Sequence, residues 1–253
     1  MEPMNQTENK DKAVKLPPPR FQEIIARIKR DILLQHYRPG DALPKEETLA
    51  KDFGVGRALV REALGLLKAQ GYLEARRGSS GGTFVCDLLQ SQGMTTLLAD
   101  LIAMRSMSIK HLCDVRILIE PEAARRAALE AAPSQLQLLG DLVYKGKTVK
   151  NIRERINLDV EFHNQVSELS GNPFFSLLMR SMMGFLQQFL EVLDEYSTYL
   201  HDPDIHSILY DAISSRDHQK AYESMFSHVV IMKQRFCDLE KDYLEIQAMQ
   251  LKD

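Results

Sequence analysis

Along most of this chain apolar residues recur at spacings of three and four. Phe21, Ile24, Ile25, Ile28 and Ile32 form the first such run and predict one amphipathic helix that stops before Tyr37-Arg-Pro-Gly40. Two shorter helical patterns follow between Leu43 and Gly71, joined at Phe53-Gly-Val-Gly56, where a glycine after the last apolar residue can end a helix. So tight a join makes the two helices cross steeply. In the second helix Val60, Ala63, Leu64 and Leu67 make one buried stripe, while Arg57 and Arg61 share another line at its start. The period then shortens: Gly71–Arg77 and Thr83–Cys86 read as strands around the turn Gly78-Ser-Ser-Gly-Gly82. A hairpin directly after such a helix is a wing.

Beyond the wing nearly every segment is helical by period. Residues 88–92 read as a short linker, and helices are expected from Met94 to Met104 and from a Ser108 N-cap to Leu129. Pro121 should kink or divide the latter. Gln135 to Tyr144 is next, ending in a basic loop, Lys145-Gly-Lys-Thr-Val-Lys150. Arg155 to Ser170 stops at Gly171-Asn-Pro173, Phe174 runs to about Tyr196, Asp202-Pro203 opens a helix to Ser215, and Asp217 caps the last, reaching Ile246. About seven helices with short loops describe an all-α antiparallel bundle over residues 93–247. Residues 1–19, polar and ending in Pro17-Pro-Pro19, read as a disordered tail.

Composition adds an asymmetry. The net charge is −3, yet residues 20–87 carry 12 Lys and Arg against 9 Asp and Glu, whereas residues 88–253 carry 17 against 23. A mildly basic head on an acidic body suits a DNA reader whose remainder stays off the phosphate backbone. The three cysteines, Cys86, Cys113 and Cys237, lie far apart without a CxxC pair, so buried free thiols in a reducing cytoplasm are expected rather than a disulfide framework. The N-terminus lacks the apolar stretch of a signal peptide, and no segment reaches the roughly 18–20 apolar residues of a membrane span.

Two groups of residues carry chemistry. Arg57 and Arg61, on the first turns of their helix, could reach guanine edges while the helix N-terminus favours phosphate, although alone they equally fit a solvated face. In Asp159-Val-Glu-Phe-His163 the aspartate and histidine are four apart, so both project from one helix face beside the apolar stripe of Phe162, Val166 and Leu169. With His206 and His228 from two later helices they would make a site for Zn²⁺ or a similar divalent ion.

The run Tyr37-Arg-Pro-Gly-Asp-Ala-Leu-Pro44, with Glu46, Leu49-Ala50, Phe53-Gly-Val, Arg57, Val60-Arg-Glu-Ala-Leu64, Leu67, Gly71 and Gly81-Gly-Thr-Phe-Val85, resembles the winged helix of the GntR family of bacterial transcription factors. That resemblance implies DNA contacts from Arg57, Arg61 and the wing at Arg77 and Gly78. Two departures stand out: Lys45 replaces a small or polar residue and could itself meet phosphate, and Gly56 replaces a serine or threonine that could cap the helix. Arg116-Ile-Leu-Ile-Glu-Pro-Glu-Ala-Ala124, Asp159–His163, Ser170-Gly-Asn172 and His206 through Asp217, followed by Ala221, Met225 and His228, are similar to the FCD effector domain of the FadR subfamily. The similarity implies that Asp159, His163, His206 and His228 bind a metal whose coordination a small carboxylate effector completes. It also makes Arg116 a candidate grip on that carboxylate, against the alternative of a salt bridge to Glu120. Ile205 stands where a glutamate usually precedes the histidine, which removes one support from the site.

These readings converge on a mainly α protein: an N-terminal winged helix-turn-helix with a small β-hairpin wing, followed by an all-α effector-binding and dimerisation domain. The expected function is a cytoplasmic, homodimeric, ligand-responsive regulator that binds a palindromic operator, by family habit a repressor. Two rivals remain at this point. One is a metal-dependent hydrolase with Glu161 as a nearby base, although four protein ligands leave the metal no open position. The other is a metal-free regulator holding a fatty acyl ligand in an apolar cavity.

Overall fold

A computed structural model describes residues 19–78, 81–88, 93–193 and 204–250. The chain divides into two compact units, residues 1–88 and 89–253. The first contains α1 (Pro19–Leu33), α2 (Glu46–Phe53), α3 (Arg57–Ala69), β1 (Leu73–Arg76) and β2 (Gly82–Val85). Ile24, Ile28, Leu49, Val60, Leu64, Leu67, Leu73 and Val85 form its core, so the stripe read from the sequence is the face that α3 buries. Gly54 ends α2 in the left-handed conformation at φ 62°, its N–H donating to the Ala50 and Lys51 carbonyls, which lets α3 begin three residues later. The hairpin is antiparallel, with Leu73 opposite Val85 and Arg76 opposite Gly82. Gly81 must be glycine, because a Cβ there would lie 2.6 Å from the Arg76 carbonyl oxygen.

One feature of this unit was not expected. The segment before α2 pairs with β2: the Leu43 N–H donates to the Thr83 carbonyl (2.8 Å), Val85 to Asp41 (2.9 Å) and Gly40 to Val85 (2.9 Å). The wing is thereby fastened to the polypeptide that leads into α2.

The second unit comprises α4 (Gly93–Ala103), α5 (Ile109–Glu130), α6 (Pro133–Thr148), α7 (Ile152–Leu169), α8 (Pro173–Val192), α9 (Ile205–Ser214) and α10 (His218–Gln250). Ser108 caps α5 by accepting from the His111 N–H, Asn151 caps α7, and Asp217 accepts from Lys220 at the start of α10. α5 and α10 pack along one another as the central pair, with α7, α8 and α9 around them. Two apolar clusters fill the interior, one centred on Phe185, Phe189, Phe236 and Tyr243, the other on Phe162, Leu139, Leu209 and the alanines of α5.

The bundle narrows one expectation and corrects another. Pro121 does not divide α5, which runs unbroken through it, because the helix is buried on both sides: Leu112, Cys113 and Arg116 before the proline, Ala123, Ala124, Ala127 and Ala128 after it. Packing there outweighs a local cost of about 3 kcal/mol. Nor is Lys145–Thr148 a loop. α6 continues through it, Thr148 Oγ1 donating to the Tyr144 and Lys145 carbonyls, and Lys145 and Lys147 favour the negative end of the helix dipole. Tyr196 and Asp202-Pro203, expected to end one helix and open the next, lie outside the described residues. Among the described residues no helix is long and apolar enough to cross a membrane.

Candidate functional site

The reading head presents α3 by burying its opposite face, which leaves Arg57 and Arg61 exposed at the first two turns. Gly56 occupies the N-cap in an extended conformation with no side chain to accept from the helix N–H groups, and open space surrounds the position of its missing Cβ. Lys45 is likewise the exposed N-cap of α2, and Arg77 and Gly78 lie exposed at the wing, Gly78 at φ 115°.

Arg61 is not a bare cation. Its Nε donates to both carboxylate oxygens of Glu46 (3.1 and 3.3 Å) and its Nη2 donates to Oε2 (2.9 Å). The hydrogen bond from Arg61 holds the Glu46 carboxyl below its usual range, and Glu46 in turn raises Arg61. The first residue of α2 thus holds the Arg61 fork in place at the exposed start of α3. The pair is solvent-exposed, so water and salt screen it, and a phosphate or a guanine edge can compete for the same fork.

In the bundle, α7 supplies His163, α9 His206 and α10 His228. One nitrogen of each lies within 4.8 Å of the others, and all three rings are buried. His163 Nε2 faces His228 Nε2 at 3.3 Å. Behind these rings stand two carboxylates: Glu120 Oε2 is 2.6 Å from His163 Nδ1, and Asp159 Oδ1 is 3.2 Å from His206 Nδ1. A carboxylate close to Nδ1 favours the tautomer that leaves Nε2 with its lone pair; at His163 it does so by proximity of charge, since Nδ1 and the facing Glu120 Oε2 lack hydrogen-bond geometry. Burial, with His163 and His206 nearby, pushes His228 well below the ordinary histidine range and keeps it neutral, as a ligand must be.

Asp159 lines the same cavity as the three imidazoles, with its Oδ1 beside His206, and among the described residues the three-nitrogen face itself is made by imidazoles. Arg116 and Glu120 are almost wholly buried, 2% and 1% exposed, and Arg116 Nε donates to Glu120 Oε1. Burial by itself would raise the Glu120 carboxyl, but Arg116 and then His163 overcome it and hold the group well below the carboxylate range. The salt bridge and the grip on a ligand are thus not exclusive. Arg116 Nη1 is buried without a hydrogen-bond partner, and Arg116 lines the same cavity as the three histidines.

From the sequence alone Glu120 enters only as a competitor for Arg116. A signal was present, since Leu112, Cys113, Arg116, Glu120, Ala123, Ala124 and Ala127 follow one helical stripe, and an ion pair inside an apolar stripe is a buried ion pair. The donor set fits a divalent cation on chemical grounds: three imidazoles, with carboxylates behind two of them.

Comparison with known proteins adds the following. Residues 20–85 match the model for bacterial regulatory proteins of the gntR family, and residues 111–230 match the FCD domain. The HTH-type transcriptional repressor NanR of Salmonella newport is 26% identical over 221 residues, covering 83% of this chain and 83% of that protein. NanR of Salmonella typhimurium is equally similar, at 26% over 221 residues with 83% and 82% coverage. Among solved structures, a GntR protein of Streptococcus agalactiae superposes with a TM-score of 0.61 at 26% identity, covering 85% of this chain and 99% of that one.

Proposed function

This chain belongs to the GntR family of bacterial regulators and carries an FCD domain behind its winged helix, and from that premise we propose how its DNA-binding and sensing parts work. It is a DNA-binding transcription regulator rather than an enzyme, and repression is the mode that its relatives' names support. Two copies related by a two-fold axis read a palindromic operator, each placing α3 in a major groove, with Arg57 and Arg61 at base edges and Lys45, Arg77 and Gly78 at the backbone. The exposed apolar side chains Val115 and Leu118 on α5 and Ile231 on α10 are in keeping with a partner subunit. The protein works in the cytoplasm, where its operator is.

His163, His206 and His228, with Asp159 as the anionic member of the set, hold a divalent cation, Zn²⁺ by the chemistry of the donors. When bound, the cation supplies a positive charge on which a carboxylate can settle. Arg116 offers its unpartnered Nη1 to the same carboxylate, and Glu120 keeps both Arg116 and His163 in register. The acid alters DNA affinity only as far as it binds one arrangement of the two heads better than another.

The observation that carries this reading is the meeting of three buried imidazoles and a buried, partly unpartnered arginine in one cavity. It is tested by metal analysis of protein purified without added ions, wild type against His163→Ala. One divalent ion per chain in the wild type and a clear deficit in the variant are expected. Equal metal content in both would remove His163 from the ligand set.

A further inference from the structure

We infer that the effector is a monocarboxylic acid with an apolar aliphatic or aryl body, not a hydroxylated sugar acid. The inference rests on the reading of the histidine cluster as a carboxylate site and concerns the rest of the cavity. About 620 Å³ of empty space lies in that cavity and the open solvent at its mouth.

Its two ends differ in chemistry. Arg116, Asp159 and the three histidines occupy one end. Along α10 the wall continues from His228 to Met232, roughly 6 Å along the helix axis, and to Phe236, whose ring centroid lies 5.7 Å from the Arg116 guanidinium carbon. Along α7 it runs back from His163 to Ile156 and Ile152, roughly 10 and 16 Å away. Leu186 and Leu190 of α8 close the same stretch. A ligand whose carboxylate meets Arg116 and the histidines must therefore lay the remainder of its body across the aliphatic side chains of Ile152, Ile156, Leu186 and Leu190 and across Met232.

Beyond the histidine end the described wall carries one charged side chain, Arg155, whose Nη2 donates to the Val149 carbonyl at 2.5 Å. A polyhydroxylated acid would surrender its water there, and the wall offers few partners in exchange. Each buried hydroxyl left unpaired weakens binding, whereas each methylene that leaves water strengthens it, by roughly fourfold for full burial. The balance selects against sugar acids and for an apolar tail. It also joins two features of the sequence, the metal-type cluster and the apolar interior, in one ligand.

The test is calorimetric titration of zinc-loaded, full-length protein with octanoate, 3-phenylpropionate, acetate and gluconate. Octanoate or 3-phenylpropionate should bind at least about tenfold more tightly than acetate and gluconate. Val160→Thr, a nearly isosteric change on a half-buried part of the wall, and Ile152→Asn at its partly exposed end should each weaken the apolar acid severalfold and leave acetate unchanged. Acetate or gluconate binding as tightly as the apolar acids, or a dicarboxylate bridging to Arg155 outcompeting them, would overturn the inference while leaving the carboxylate site in place. Binding of the apolar acids that survives unchanged in metal-free His163→Ala would uphold the apolar class and remove the cluster from the site. Failure of every acid to bind would take down both.

Discussion

Glu46 and Glu120 are the two residues whose roles matter most, and each acts through a basic neighbour. Glu46 holds the fork of Arg61 at the surface of the reading head. Arg61→Ala should lower operator affinity about tenfold or more while leaving the melting temperature nearly unchanged, as gel shifts and thermal melts would show, because an exposed ion pair adds little to stability. Glu46→Gln should do something different: with a negative charge gone from beside the DNA, binding to unrelated duplex should strengthen and the ratio of operator to non-specific affinity should fall. Glu120 lies at the opposite extreme of burial. Glu120→Ala strands the Arg116 charge and should cost about 3–5 kcal/mol in denaturant unfolding. The milder Glu120→Gln should weaken metal binding about 10- to 100-fold by loosening the orientation of His163, measured by competition with a chromophoric chelator. Cys113 is the residue-scale control: burial pushes its thiol up to about 11, so at pH 8 only about one part in a thousand is thiolate, and iodoacetamide should leave it unmodified in the native protein.

Among the elements, α3 is incomplete at its own N-terminus. Gly56→Ser supplies the missing acceptor where nothing obstructs a side chain, and it should stabilise the first unit by a few tenths of a kcal/mol in thermal unfolding. α3 and the wing were legible from the sequence because local rules specify them: a 3.6-residue stripe, a left-handed glycine at Gly54 and a change of period after Gly71. The partnership of Arg61 with Glu46 was not legible, since it joins residues 15 apart on different helices whose crossing only the folded head defines. The pairing of Gly40 and Leu43 with β2 escaped for the same reason. In α5 the local rule for Pro121 was overruled by burial on either side of it, and at Lys145–Thr148 a glycine and three polar residues looked like a loop although the helix dipole and Thr148 sustain a further turn. Asp159 and His163 could be paired by their spacing. The approach of His206 and His228 to them followed from resemblance, because no periodicity within one helix tells which faces of α7, α9 and α10 meet.

At the scale of the whole molecule two units divide the work, a basic head that meets DNA and an acidic helical body whose buried imidazoles, Arg116 and cavity are the proposed receptor for an acid. The coupling between them is a free energy and must be reciprocal: an acid that weakens operator binding is itself bound less tightly when operator is present. The most direct test titrates 3-phenylpropionate or octanoate into the complex of the full-length protein with a duplex that it has selected from a random pool, and follows operator affinity by fluorescence anisotropy in the wild type, in Arg116→Ala and in His163→Ala. The account predicts an affinity that changes with acid in the wild type, and in the two variants an unaltered acid-free affinity that no longer responds. The same response in all three proteins would contradict it, for the acid would then act somewhere other than the centre built by Arg116 and the three histidines.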